Sequence, residues 1–311
     1  MSAPIRIGII GCSEQTHGKA WAELLAKPEG AKFGMIPARV WDADRAVAEA
    51  LAQTVGAIAV DDSREAGEGV DGVLITEPLP HRYLELGRPF LQAGKRIFFN
   101  RPFAGSVADA KEILRLARER GAKIYSASAL FHTKAGEEAR RRLPEIAPVR
   151  LFNVTGCTDH IWFYLPHAIA CLVSVLGAGI TRVQAVSLQW RAEDPLHAVA
   201  PVVIYVEYGA ESQAGAARGV IEMLGPESSW YGFRMKLFGA KAEAQEVQFE
   251  VSYDLLLETM AEFFRTGVEP VPHDAILEQC AVFHATLDSA RQGGRPLIIA
   301  DLLRHPQDAG R

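Results

Sequence analysis

The turn Gly11-Cys12-Ser13-Glu14-Gln15-Thr16 and the acid Asp42 have types and spacing that suggest chemistry. Amides at the start of a helix attract phosphate, and glycines let the backbone approach it closely. A complete dinucleotide fingerprint reads G-x-G-x-x-G. Here only Gly11 matches, and Ser13 and Thr16 bring hydroxyl donors into space that glycines would leave open. Asp42 closes a strand-like run, where an acid accepts from both ribose hydroxyls and repels the extra phosphate of NADP. It lies about thirty residues past Gly11, against the usual ~20. The segment Lys27–Pro37 reads as the inserted loop. Arg45 is the counter-signal, since it would meet a 2′-phosphate if Asp42 turned away. NAD is therefore the expected cofactor, with NADP left open.

Other polar side chains gather at predicted strand ends. Glu77-Pro78 closes the run Gly72–Thr76, whose last residue is Thr76, and His81 follows toward the same crevice or as a helix cap. His17 lies near the first helix, as a phosphate donor or a surface residue. The stretch Asp159-His160-Ile161-Trp162-Phe163-Tyr164 leads into Pro166 and His167. Asp159, His160 and His167 fit no standard metal spacing, and no metal is expected.

These residues need elements to hold them. Strand-like runs Ile5–Ile10, Ala38–Trp41, Ala57–Val60, Gly72–Thr76, Arg96–Phe99 and Lys123–Ser126 alternate with helical patterns. The helices run through Trp21–Leu25, about Ala46–Gln53, Tyr83–Ala93, and from an N-cap at Ser106 to Arg120. This alternation predicts right-handed βαβ units, a doubly wound parallel sheet of Rossmann type, and a ligand crevice at the strands' carboxyl ends. After about residue 130 the pattern changes. Arg150–Thr155, Arg182–Trp190, Val202–Tyr208, Gly219–Leu224, Phe233–Phe238 and Glu246–Val251 read as strands of a mainly antiparallel open sheet. One helix, Pro166–Leu176, interrupts them, and helices Tyr253–Thr266 and His273–Gln292 close the chain. The fold class is thus α/β plus α+β. Residues 1–128 form a dinucleotide-binding domain, and 129–311 a substrate and oligomerisation domain. The polar tail after Leu303 is expected to fray.

Bulk composition narrows the classes. The 311 residues are 49% hydrophobic and 23% charged, with net charge −5, which argues against nucleic acid or anionic membrane as partners. The most apolar stretch, Ile161–Gly177, contains Pro166 and His167 and reads as a buried helix rather than a membrane span. The four cysteines are scattered with no C-x-x-C pair, so a reduced, cytoplasmic setting is expected. A one-sided sheet has an outer face to cover, and a homo-oligomer, dimer or tetramer, through that face is expected.

The segment Val70–Ser126 resembles the Gfo/Idh/MocA oxidoreductases. The carrying features are V-D-x-V in the strand, E-P-x-x-H after it, A-G-K before the next strand, a proline-containing tripeptide and the capped helix that follows. A second signature, H-x-x-D followed by L-x-G, is matched in part by His167-Ala168-Ile169-Ala170 and Leu176-Gly177, and His273–Ile298 looks like the family's C-terminus. The resemblance implies a nicotinamide-proximal lysine in Glu-Lys-Pro and an acid–base histidine with a carboxylate partner. Here the tripeptide is Asn100-Arg101-Pro102, the H-x-x-D aspartate is Ala170, and the aspartate usual four residues before the histidine is Phe163. Arginine stays charged and cannot trade a proton at working pH, but its fork can hold a carboxylate or developing alkoxide. His167 remains a competent base, placed by Pro166 in a first helical turn, and without its carboxylate its tautomer is less firmly set. His160 or Tyr164 is a candidate substitute for the missing proton-transfer group.

The expected function is NAD(P)-dependent oxidation or reduction of a small polyol, sugar or related hydroxy/keto compound. Gly11, Ser13, Thr16, Asp42, Thr76, Pro78, His81, Asn100 and Pro102 face the cofactor, and His167, Arg101 and Tyr164 face the reaction. The alternatives are a non-catalytic nucleotide-binding relative, serving as sensor or assembly subunit, and a nicotinamide-dependent lyase or glycosidase.

Overall fold

The structure, a computed structural model, describes residues 3–14, 16–157, 160–187, 201–225, 228, 231–241 and 244–304. The chain divides into two compact units. One comprises Met1–Ala127 and Asp254–Ile276, the other Ser128–Tyr253 and Leu277–Arg311.

The first unit begins β1 (Ile5–Ile10), α1 (His17–Ala26), β2 (Met35–Trp41), α2 (Arg45–Val55), β3 (Ile58–Ala59) and β4 (Gly72–Ile75). It continues α3 (Tyr83–Gln92), β5 (Arg96–Phe99), α4 (Val107–Arg120) and β6 (Lys123–Tyr125). The strands form a sheet of order β3-β2-β1-β4-β5-β6, with every neighbouring pair parallel. Ile7, Ile9, Ile10, Leu74, Ile75, Phe98 and Phe99 are all fully buried. Such continuous apolar runs mark strands covered on both faces. The order reverses between β1 and β4, so the crevice of a doubly wound fold lies beyond Ile10 and Ile75. Ser106 caps α4 as expected, its Oγ accepting from Asp109 N at 3.0 Å.

The second unit holds α5 (Lys134–Ile146), β7 (Val149–Gly156), α6 (Ile161–Leu176), β8 (Ile180–Ser187), β9 (Val202–Tyr208), β10 (Arg218–Met223), β11 (Phe233–Gly239) and β12 (Gln245–Phe249). After α7 (Asp254–Thr266) and α8 (His273–Arg291) come β13 (Leu297–Ile298) and α9 (Ile299–Leu303). The sheet order is β12-β11-β7-β10-β9-β8-β13. Its pairs are antiparallel except β7 with β10, which run parallel. One face carries Phe152, Val154, Ile204, Ile221, Met235 and Leu237, and α6 packs against β7, β10 and β11.

Several elements differ from the sequence reading. The segment read as the loop Lys27–Pro37 contains a short 3-10 helix, Pro28–Phe33, and β2 already begins at Met35. Pro37 pairs with Ile7, and the register shifts immediately after it, so the strand absorbs a proline at an irregularity. Helix α6 starts at Ile161 with His160 as N-cap, not at Pro166. Burial of Ile161 and Leu165 outweighs the one backbone bond that Pro166 forfeits. His167 therefore sits in the second turn, away from the terminal amides. Helix α5 was not anticipated, although Thr133 caps it through Gly136 N at 3.0 Å. The ends of the expected strand Arg182–Trp190 and of the polar tail lie outside the described residues.

Helix α7 follows the second sheet in sequence but packs with the first unit. A Cβ on Gly72 would lie 2.1 Å from the Phe264 ring, and the rings of Tyr125 and Phe263 are 5.7 Å apart. The Glu269 carboxylate accepts from Ile124 N at 2.8 Å and meets His273 Nε2 at 2.7 Å. Phe264→Ala is expected to destabilise the first unit by about 3–5 kcal/mol, read from chemical denaturation of the full chain.

Candidate active site

Around the turn that follows β1, geometry replaces the missing glycines. Gly11 takes φ +90°, and a Cβ there would lie 2.5 Å from Glu77 N. A Cβ on Gly18, the second residue of α1, would lie 2.2 Å from the Gly11 carbonyl oxygen and 2.3 Å from Thr76 Oγ1. Gly18 therefore provides the close helix-to-strand approach that the last fingerprint glycine serves, two residues later than G-x-G-x-x-G places it. The sequence reading missed it, and a glycine in the first turn of the helix was the available signal.

Hydroxyls tie this turn together. Thr16 caps α1, and its Oγ1 lies 3.1 Å from the Gly11 carbonyl and 2.8 Å from that of Ser13. Thr76 Oγ1 lies 2.9 and 2.8 Å from the carbonyls of Ile10 and Gly11. Both hydroxyl hydrogens are committed to backbone, so these two threonines shape the turn rather than offer it donors. Ser13 differs, because its Oγ is buried and has no hydrogen-bond partner among the described residues. A buried hydroxyl left unmatched is costly, and a phosphate oxygen would satisfy it.

Acids line the outer end of the crevice. Asp42 accepts from Cys12 N at 2.6 Å and from Asp44 N at 3.1 Å. The Cys12 thiol donates to the Trp41 carbonyl at 3.3 Å. Burial and the nearby Asp42 charge push it up to about 12, so it stays protonated and unreactive. Glu77 was read only as a strand terminator, but it is buried at the switch point. Burial raises its carboxyl, and Arg82, at 3.6 Å, partly offsets this. Arg45 is ion-paired with Glu49 at 2.8 Å and Asp61 at 2.7 Å, which commits it away from a 2′-phosphate. Pro78 is half-buried beyond Glu77, and His81 is exposed in the next turn.

The carboxyl end of β5 carries a polar network. His17 stacks on Trp21, with centroids 4.9 Å apart. Its Nδ1 is 3.1 Å from Asn100 Oδ1, and its Nε2 is 3.3 Å from Arg101 Nη2. Guanidinium only donates, so Nε2 accepts and Nδ1 carries the hydrogen to Asn100. Nearby, the buried Tyr83 hydroxyl donates to the Glu77 carbonyl at 3.0 Å. Burial and the Arg101 charge push His17 down to about 3. The expected phosphate-donor or surface role of His17 gives way to holding Asn100 and Arg101. Pro102 is buried and follows Arg101 through a cis peptide.

In the second unit, His167 Nδ1 lies 2.6 Å from Ser128 Oγ, a residue the sequence reading overlooked. Tyr164 and Phe233 flank it, their ring centroids 6.2 and 5.8 Å away. Ala170 is buried, so no carboxylate takes the H-x-x-D position. Asp159, considered as a metal ligand, lies outside the described residues.

In the first unit the positive-φ glycine, helix N-terminus, unmatched Ser13 hydroxyl and the acid that follows β2 lie at the switch point of a Rossmann-type sheet, where such folds take ligands. Comparison with known proteins agrees. Residues 5–128 match the family described as oxidoreductase family, NAD-binding Rossmann fold. A dTDP-3,4-didehydro-2,6-dideoxy-α-D-glucose 3-reductase from Streptomyces violaceoruber is 31% identical over 137 residues. That match covers 42% of this chain, which spans little more than a third (37%) of the reductase. A probable dehydrogenase from Thermotoga maritima superposes with TM-score 0.77 at 16% identity, covering 96% of this chain and 100% of that one. An oxidoreductase from Agrobacterium radiobacter, solved with NAD+, L-tartaric acid and magnesium, gives TM-score 0.76 at 14% identity, covering 96% and 99%. Over residues 5–128 the chain is thus similar to the NAD-binding domain of the Gfo/Idh/MocA oxidoreductases.

The His17 network carries an acid signature. In the unfolded chain His17 binds a proton near pH 6.5, whereas in the folded chain it stays neutral down to about pH 3. Acidification through that window therefore favours unfolding, by an amount on the order of 3 kcal/mol at pH 4. His17→Gln, which keeps one donor and one acceptor, is expected to flatten this loss in melting temperature between pH 7 and pH 4.

Proposed function

We propose that the chain is an NAD-dependent oxidoreductase acting on a small polyol, sugar or related hydroxy/keto compound. The observation that carries this is the switch-point site of the first unit. There Gly11 and Gly18 open the path for backbone, Ser13 holds an unmatched hydroxyl, and Asp42 closes β2. When bound, the nicotinamide supplies the hydride chemistry. Asp42 meets the adenosine ribose, and the Ser13 hydroxyl and the turn meet the pyrophosphate. Arg101, braced by His17, holds a carboxylate or stabilises negative charge on a substrate oxygen through a fork that lysine lacks. His167 serves the proton-transfer position. The sugar reductase among the relatives and the tartrate bound to a structural neighbour support small oxygenated substrates.

The acids Asp42 and Glu77, with Arg45 engaged elsewhere, favour NAD over NADP. NADH is expected to bind at least tenfold more tightly than NADPH by fluorescence titration, and Asp42→Ala to narrow the gap. No binding of either at millimolar concentration rejects the reading. Loss of the lysine and of both aspartates is the observation behind the non-catalytic alternative. Turnover that Arg101→Ala or His167→Ala abolishes would reject that alternative.

The outer face of the second unit's sheet exposes Leu151, Tyr205 and Phe238, with Leu151 and Phe238 paired across β7 and β11. A self-association face of this kind fits a homodimer or tetramer. Light scattering after size exclusion is expected to give a multiple of the 33.9 kDa chain, and Leu151→Arg to lower it. A monomeric wild-type chain excludes the assembly.

A further inference from the structure

Ser128 follows β6 and caps the short 3-10 turn Ala129–Phe131, accepting from Leu130 N at 3.0 Å. Its other contact is His167 Nδ1 at 2.6 Å, and the serine is 3% exposed. A serine hydroxyl has one hydrogen to give. If Nδ1 carried a hydrogen and donated it, the serine hydrogen would be buried with no acceptor among the described residues, an arrangement that costs a full desolvation penalty. If the serine donates to Nδ1 instead, both groups are satisfied.

We infer that Ser128 is the positioning residue for His167, and that it holds the neutral imidazole in the tautomer with its hydrogen on Nε2. A carboxylate partner does the opposite, because it accepts from Nδ1–H and leaves Nε2 as a bare acceptor. Exchanging carboxylate for hydroxyl therefore inverts what neutral His167 presents. It offers an N–H donor, which suits the lone pairs of a carbonyl oxygen, in place of an acceptor for a hydroxyl hydrogen. On the proposed reading of His167 as a site residue, the resting protein is set to recognise the keto or aldehyde form of its substrate.

The test is the imidazole nitrogen spectrum of the full chain labelled with 15N-histidine, at pH 8, where the reference histidine is neutral. His167 is identified among the nine histidines by its loss in His167→Gln. The wild type is expected to show the Nε2–H pattern. Ser128→Thr, which keeps the hydroxyl, should preserve it, and Ser128→Asp should switch it to Nδ1–H. Circular dichroism of each variant checks the fold, and the wild-type and threonine spectra stand even if the aspartate variant fails to fold. An Nδ1–H pattern in the wild type, or an Nε2–H pattern unchanged in a folded Ser128→Asp, overturns the inference. The readout needs no cofactor. A chain that shows the expected tautomer yet binds no dinucleotide would refute the proposed function and leave the Ser128 assignment intact.

Discussion

The carbonyl oxygen of Gly11 is the point on which the first unit's crevice turns. Thr16 and Thr76 both direct hydroxyls at it, and Gly18 lies so close that a methyl group there would overlap it. Thr76 thereby adds side-chain hydrogen bonds to the backbone bonds that join β1 and β4. The missing side chain at Gly18 sets how near α1 comes to the sheet. That approach in turn lets His17, the helix's first residue, reach Asn100 and Arg101 at the end of β5. A branched residue at position 18 would push the helix out and take His17 with it, so cofactor turn and polar network share one steric condition.

A second theme is the replacement of charge by neutral partners. Where the family pattern has glutamate, lysine and aspartate, this chain has Asn100, Arg101 and Ala170. Each change would strand a polar neighbour if nothing else adjusted, and unmatched buried polar groups are costly. Neutral His17 bridges Asn100 and Arg101, and the Ser128 hydroxyl meets His167. The result is a set of matched hydrogen bonds in which neutral His17 acts as the bridge, and the fixed charge is a guanidinium that keeps its proton at any working pH.

How much of this was legible in the chain varied with the range of the interaction. The strand Ile5–Ile10, the capped helix after Ser106 and the acid Asp42 could be read directly, since periodicity, caps and strand ends are local properties. The start of α6 was misplaced because a proline signal was weighted above the burial of Ile161 and Leu165, and burial is not a local quantity. Helix α5 escaped notice although Thr133 offered a cap. The glycine that matters beside Gly11 is offset from the expected spacing, so no motif pointed to it.

Sequence alone determined the alternation of apolar strands and amphipathic helices, hence the parallel sheet, its switch point and the turn where a dinucleotide belongs. Those follow from the periods of strand and helix and from the handedness of crossovers, which act over tens of residues. Only the tertiary structure decided which groups meet: His17 with Arg101 across 84 positions, Ser128 with His167 across 39, and the Phe264 ring of α7 with Gly72 of β4. Such pairings depend on angstrom-scale distances between elements, and those distances exist only once the sheets have formed.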